Sequence, residues 1–311
     1  MSASSPPSAF LPRTIHVLGV PMDLGSSRRG VDMGPSALRL ASLGEALTRL
    51  GHTVRDDGNL PVPDRTLLTG NPVDYLGAIA QVCAELAKRT AMSARQEAIP
   101  LVLGGDHSLA AGSVAGVATA MAEQGKRLGL IWIDAHSDIN TPETTLTGNV
   151  HGMPVAHLLG MGDARLARLS KSHPAVRPEH LVFVGLRDVD LAEKEIIRSS
   201  GLRAFTMREI DERGLRAVLA DAMEVAGTGT GGFHVSCDAD WVDPSYAPGV
   251  GTAVRGGATL REAHLAMEMI YDSGLMVGMD LVEINPILDS HNQTAELSVA
   301  LIASAFGRRI L

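Results

Sequence analysis

The sequence predicts an α/β fold on a parallel sheet, and three features carry that expectation. Short, continuous apolar runs alternate with stretches of helical periodicity, the pattern of strand-helix-strand units joined by right-handed crossovers. Runs such as Leu130-Ile131-Trp132-Ile133 contain no alternating polar residue, as expected of strands covered on both faces. Three of the runs lead directly into acids and imidazoles, the place at which open α/β sheets hold their ligands.

The elements follow in order. Residues 1–11, rich in Ser, Pro and Ala, have little to pack and are expected to form a disordered tail, leaving 12–311 as a single domain of ordinary α/β size. Residues 15–20 read as the first strand and 25–30 as a loop. Gly34-Pro35-Ser36 reads as a helix entry, and Leu40, Leu43, Leu47 and Leu50 line one face of a helix that ends at Gly51. Residues 54–60 suggest a short strand and turn, and 72–95 an amphipathic helix with Tyr75, Ile79, Val82 and Leu86 inward. Strand 99–103, an Ala-rich helix over 108–123 and strand 130–133 come next, followed by strand 181–185, a helix over 192–198, a short strand at 204–206 and a helix from Met207. Residues 227–232, Gly-Thr-Gly-Thr-Gly-Gly, form a flexible turn and not a nucleotide loop, because no Lys stands where a phosphate needs it. Strand 233–237, a helix over 260–271 and strand 275–283 complete the plan.

Composition narrows the partners. A net charge of −8 with no Lys/Arg run longer than two residues argues against nucleic acid or an anionic membrane, and favours a small cationic ligand. No apolar segment approaches the ~20 residues of a spanning helix, and the N-terminus lacks the basic start of a secretory signal, so a cytoplasmic protein is expected. Cys83 and Cys237 suit neither a disulfide framework nor a thiolate zinc site, and Cys237 reads as a core side chain.

The chemistry concentrates in three fragments. Asp134, His136 and Asp138 stand at alternate positions after an apolar strand, so along an extended chain they would share one side. His107 follows Gly104-Gly105-Asp106, and Asp238 and Asp240 are again alternate. These two imidazoles and four carboxylates carry four negative charges, which balance two divalent cations. Uncompensated, the acids would repel one another and each face a desolvation penalty of several kcal/mol. Oxygen-rich ligation without sulfur favours Mn²⁺ over Zn²⁺. Two such ions about 3.5–4 Å apart share one water and lower its pKa, which makes metal-assisted hydrolysis the expected reaction class. A serine triad is not supported, for there is no Gly-x-Ser-x-Gly elbow. The polar loop 139–152 leaves from the ligand strand and suits either substrate binding or an ordinary surface connection. Asp188 and Asp190, after strand 181–185, suit either a cationic amine or the cap of the following helix.

Five motifs carry a family likeness: Gly-Gly-Asp-His-Ser (104–108), Asp-Ala-His-Ser-Asp-Ile-Asn (134–140), Thr-Gly-Asn-Val-His-Gly (147–152), Ser-Cys-Asp-Ala-Asp (236–240) and Val-Glu-Ile-Asn-Pro (282–286). By these the chain resembles the ureohydrolases, and among them the bacterial arginases, over nearly its whole length from residue 15. The resemblance implies a three-layer αβα fold with a mainly parallel eight-stranded sheet. It implies two Mn²⁺ per chain held by His107, Asp134, His136, Asp138, Asp238 and Asp240, and hydrolysis of L-arginine to L-ornithine and urea by a metal-bridging hydroxide. In that reading Asp138 passes a proton to the leaving amine, Glu283 pairs with the guanidinium and His151 shuttles protons. Asn140, Thr145 and Thr147 would contact the α-carboxylate; Asp188, Asp190 and Glu193 would serve the α-amino group, and Thr252 would line the site. A homotrimer or homohexamer is implied as well. Another guanidino substrate (agmatine, guanidinobutyrate, formiminoglutamate) and a catalytically silent homologue are the alternatives. The chain departs from the family pattern at Trp241 and Val242, where Gly and Leu are usual, at Thr147 for Ser and at Ala253 for Pro. A Trp beside a metal ligand would narrow the pocket or repack the layer beneath it.

Overall fold

The computed structural model describes residues 12–310; the tail expected over 1–11 lies outside them. Eight strands form one sheet: β1 (Thr14–Val20), β2 (Thr53–Asn59), β3 (Ile99–Gly104), β4 (Gly129–Ile133), β5 (Leu181–Leu186), β6 (Arg203–Thr206), β7 (Phe233–Asp238) and β8 (Met276–Val282). Their spatial order is β2-β1-β3-β8-β7-β4-β5-β6, and every pairing is parallel. The helices that cover it are α1 (Gly34–Leu40), α2 (Leu43–Arg49), α3 (Leu76–Arg95), α4 (Ala110–Glu123), α5 (Pro154–Leu158), α6 (Ala164–Ala167), α7 (Leu191–Ser199), α8 (Met207–Arg213), α9 (Leu215–Gly227), α10 (Leu260–Ser273) and α11 (Gln293–Ala305).

Alternate residues of the central strands feed two cores. Ile131 and Ile133 of β4 and Leu101 and Leu103 of β3 pack with α1, α2 and α8 to α11. Leu130 and Trp132 pack with α4 and α5, while Val102 and Val20 meet α3. The result is the expected three-layer αβα arrangement, and burial on both faces explains why these strands read as unbroken apolar runs.

One expected element is divided. The helix read across residues 36–50 is two helices, because Ser42 adopts the left-handed region at φ 63° and redirects the chain. Leu43 and Leu47 are buried as expected, but Leu40, assigned to the same stripe, is 82% exposed. Neither Gly nor Pro marks this break, so the leucine spacing carried straight across it.

The topology decides where the site lies. β3 and β4 are consecutive among the strands of the chain, yet β8 and β7 insert between them. The carboxyl ends of β3, β8, β7 and β4 therefore stand side by side, and the motifs at 104–108, 282–286, 236–240 and 134–140 become neighbours at one sheet edge.

Candidate metal centre and substrate cavity

Each candidate side chain arrives from the carboxyl end of a strand, though not by strand alternation. β4 stops at Ile133, and Asp134, His136 and Asp138 come from the turn that follows. Asp134 Oδ1 accepts the backbone N–H of His136 at 2.7 Å, which curls the chain, and Asp138 then takes a left-handed φ of 49°. Asp238 closes β7 and accepts the N–H of Asp240 at 2.7 Å, the same device at the start of a short 3-10 turn. His107 follows β3 through Asp106, whose buried carboxylate accepts the N–H of Ser108 at 3.1 Å and that of Gly25 at 2.8 Å.

The six candidate ligands meet. His107 Nδ1 lies 3.1 Å from Asp134 Oδ2, 3.2 Å from Asp138 Oδ2 and 3.4 Å from Asp238 Oδ2. His136 Nδ1 lies 3.4 Å from Asp134 Oδ1 and 3.1 Å from Asp240 Oδ2. Asp134 thus turns one oxygen toward each imidazole. Two groups of potential ligands share it, His107/Asp134/Asp238 and Asp134/His136/Asp240, each with donor atoms within 4.8 Å of one another.

This donor set fits two divalent cations. His107 Nδ1 is buried without a hydrogen-bond partner, although three carboxylates surround it. Its Nε2 lies 2.9 Å from Ser236 Oγ, which lies 3.3 Å from the buried Asp280 Oδ2. A serine hydroxyl has one proton; donated to Asp280, it leaves Oγ to accept from Nε2–H, so Nδ1 presents a lone pair to the centre. Trp132 stacks on the His107 ring at 4.0 Å and 11°, and its indole N–H donates to Asp134 Oδ2 at 3.1 Å.

Crowding of these acids and imidazoles shifts their proton affinities. Burial pushes His107 down, but Asp134, Asp138 and Asp238 outweigh it and hold its pKa well above the ordinary value. His136 is likewise depressed by burial and raised further by Asp134 and Asp240. Burial and the Asp134 charge push Asp138 up to about 7 and Asp240 up to about 6. Asp134 itself is held low, because the two imidazoles outweigh its burial.

Beside the centre stands Glu283, just past β8, with a left-handed φ of 63°. Its Oε1 accepts the His107 N–H at 2.9 Å and pairs with His151 Nδ1 at 2.8 Å. Its Oε2 is buried with no partner. Burial lowers His151, but the facing Glu283 raises it to about 9; burial raises Glu283, and His151 outweighs that and lowers it. Backbone strain at Asp138 and Glu283, both non-glycine, falls where side chains are aimed into the centre.

A cavity of about 310 Å³ opens over these groups. His136, Asp138, Asp238, Asp240, His151 and Glu283 form its floor side, and every substrate residue expected from the sequence lines it: Asn140, Thr145, Thr147, Asp188, Asp190, Glu193 and Thr252. Of the two uses open to Asp190, the helix cap is present, and the second carboxylate oxygen meets a neutral amide. Its Oδ1 caps α7 by accepting Glu193 N–H at 2.9 Å, and its Oδ2 accepts Asn140 Nδ2 at 2.8 Å at the cavity wall. Glu193 is buried and engaged with backbone N–H groups of Asp190 (3.0 Å) and Ile139 (3.4 Å). Leu146 and Asn149 also line the cavity, unforeseen because a polar loop gives no sign of which tip residues turn inward. Trp132, Ser236 and Asp280 were missed for a different reason: each looked like an ordinary strand residue.

Trp241 does not narrow the cavity. It is fully buried and packs away from it, against Gly185, whose φ of 100° and lack of a side chain make room: a Cβ there would sit 2.1 Å from the indole Nε1. The repacked layer is the consequence. Cys237 is buried and its thiol pushed far up by burial, in keeping with a core role.

Comparison with known proteins agrees with this geometry. The Arginase family model matches residues 13–307. The arginase of Bacillus caldovelox is 45% identical over 302 residues, covering 96% of this chain and all of that one, and the arginase of Bacillus subtilis is 44% identical over 299 residues, 96% and 99% of the two chains. The solved structure of the Bacillus caldovelox arginase superposes with a TM-score of 0.91 at 44% identity, covering 96% of this chain and 100% of that one. With its eight-stranded parallel sheet and its motifs gathered at one edge, the chain belongs to the arginase family of hydrolases.

Proposed function

We propose that the protein hydrolyses the guanidinium group of L-arginine, releasing L-ornithine and urea, at a centre of two Mn²⁺ ions held by His107, Asp134, His136, Asp138, Asp238 and Asp240. One observation carries the reading: Glu283 Oε2 is a buried carboxylate oxygen without a partner, on the wall of a cavity floored by the paired ligand groups. A guanidinium, positively charged and bearing only N–H donors, supplies the donor that Oε2 lacks. Six nitrogen and oxygen donors with no sulfur support Mn²⁺. When bound, the ion pair lowers the pKa of a water so that it is nucleophilic at neutral pH.

The chain's own groups do the rest. Glu283 holds the guanidinium carbon over the centre, which turns a bimolecular attack into a positioned one. Asp138, whose carboxylate faces both the centre and the cavity, takes the proton of the attacking water and gives it to the departing amine nitrogen. His151, whose Nδ1 is engaged by Glu283, keeps Nε2 for proton exchange with the cavity. Asn140, Thr145 and Thr147 bind the α-carboxylate; Asp188 and Asp190 bind the α-amino group, with Glu193 behind Asp190 and Thr252 on the opposite wall. Residues 12–311 act as one catalytic domain, supported by the single continuous sheet. Among the described residues no helix is long and apolar enough to cross a membrane. A cytoplasmic homotrimer or homohexamer is the setting we propose, on the strength of the family relationship.

A substrate panel tests the proposal. With Mn²⁺ added, product release from L-arginine is expected to exceed that from agmatine, guanidinobutyrate and formiminoglutamate by about a hundredfold in kcat/KM, the upper end of the scale for one lost charged contact. Equal or greater turnover of agmatine would overturn it.

A further inference from the structure

We propose that Arg187 is a positioning residue that holds one half of the metal centre, the Asp134/His136/Asp240 group, in register with the loop that carries Thr252. Nothing about this residue was legible in the sequence except its place one position before Asp188.

Arg187 follows β5 and is half-buried, and its guanidinium donates to backbone carbonyls rather than to an acid. Nη2 donates to Asp240 O at 2.5 Å and to Val254 O at 2.7 Å. Nη1 donates to Trp241 O at 3.2 Å, and Nε to Val254 O at 3.3 Å. The backbone adds a third strand of contact: the N–H groups of Arg187 and Asp188 both donate to Ala135 O, at 2.9 and 3.0 Å. Ala135 lies between two candidate ligands, Asp134 and His136, and its own N–H lies 3.3 Å from Asp240 Oδ1. One residue therefore ties together the turn after β4, the turn after β7 and the segment two residues beyond Thr252, while standing beside the Asp188 and Asp190 side of the cavity.

The other half of the centre is held separately. His107 rests on Trp132 and on Ser236, and Ser236 on Asp280. Disturbing Arg187 is thus expected to act on one ion and spare the other.

Two effects of Arg187 have opposite signs and can be told apart. Its charge lies toward Asp240 and offsets part of the rise that burial and Asp134 impose on that carboxyl. Removing a positive charge from beside a cation site would by itself tighten cation binding. Removing the fork that fixes Asp240 and Ala135 would loosen it. Lysine keeps the charge but is a point donor that cannot span three carbonyls.

The test uses the full chain as Arg187→Lys and Arg187→Gln, titrated with Mn²⁺ and followed by metal analysis and electron paramagnetic resonance. Both variants are expected to bind one ion about as well as the wild type and the second about tenfold or more weakly, the usual effect of losing an outer support of a ligand. The spectrum of a coupled pair then gives way to that of isolated Mn²⁺ at stoichiometries where the wild type is paired. Tighter binding by the Gln variant with no change in the Lys variant, or equal weakening of both ions, overturns the clamp. So does unchanged two-ion binding in both. If neither variant folds, the wild type decides by NMR: guanidinium protons of Arg187 exchanging as fast as those of a solvated arginine overturn the clamp, and slow exchange supports it. The inference rests on the two-ion reading above; a wild-type chain that never takes up two ions sinks that reading, whichever way the variants behave.

Discussion

The indole N–H of Trp132 donates to Oδ2 of Asp134 at 3.1 Å, on the one carboxylate that faces both imidazoles of the centre. The hydrogen bond takes up one lone pair of that oxygen and leaves the other directed at His107 Nδ1, while the stacked ring keeps His107 from turning. Trp132→Phe preserves the stack and removes the donor. Mn²⁺ affinity is expected to fall about tenfold, measured by competition with a chelator, with little change in secondary structure by circular dichroism. Unchanged affinity would show that the hydrogen bond orients nothing.

Glu283 and His151 set each other's charge. Since Glu283 is the cause that lifts His151 to about 9 against the effect of burial, Glu283→Gln removes the lift. The His151 pKa is expected to fall toward or below the ordinary value near 6.5, read by NMR titration of the metal-free chain. Activity on L-arginine is expected to drop by a hundredfold or more in kcat/KM, because the buried acceptor for the guanidinium is lost. A His151 pKa that stays near 9 in this variant contradicts the pairing.

Asp190 caps α7, and in the proposed function it also meets the substrate amine; asparagine separates the two. Asn remains a good helix cap, so α7 is expected to stay folded in Asp190→Asn, but the charge that would meet the α-amino group is gone. Turnover of L-arginine in kcat/KM should fall about 10–100-fold, as for loss of one charge-assisted hydrogen bond. Any residual turnover of guanidinobutyrate, which has a carboxylate but no amine, should be unaffected. Equal losses on both compounds would place Asp190 in a structural role only.

His157, on α5, offers a pH test away from the centre. It is buried with both ring nitrogens unpartnered, and burial pushes its pKa down to about 4. The folded state keeps His157 neutral at a pH where the unfolded state protonates it. Stability from this group is therefore complete above about pH 6.5 and is lost progressively as pH falls toward 4, by roughly 3 kcal/mol for the full difference. His157→Phe is expected to flatten that part of the Tm-versus-pH curve in the metal-free chain. A slope as steep as the wild type's between pH 6.5 and 4 would show that other groups cause it.

Much of this was legible before any coordinates. Sequence patterns located all eight strands closely, and the acids and imidazoles at strand ends named all six candidate ligands. The route from sequence to site was partly mistaken even so: alternation along a strand was expected to align Asp134, His136 and Asp138, whereas a turn nucleated by the Asp134 side chain does it. The Ser42 break was hidden because a left-handed serine leaves no trace in leucine spacing. Trp241 was read as a possible obstruction, and its indole turns instead into space that Gly185 leaves open, a partnership between residues 56 positions apart.

Periodicity, capping and charge are local properties, so the chain alone specified its strands, its helices and the chemical class of the groups at strand ends. Which strands lie side by side is a long-range matter, settled when the two cores pack and β8 and β7 slot between β3 and β4. That insertion brings His107 to Asp134 and Asp238, gives Glu283 its place beside them, and lets Arg187 reach across to the carbonyls of Asp240 and Val254. Contacts between side chains far apart in the chain depend on distances that no short window of residues encodes.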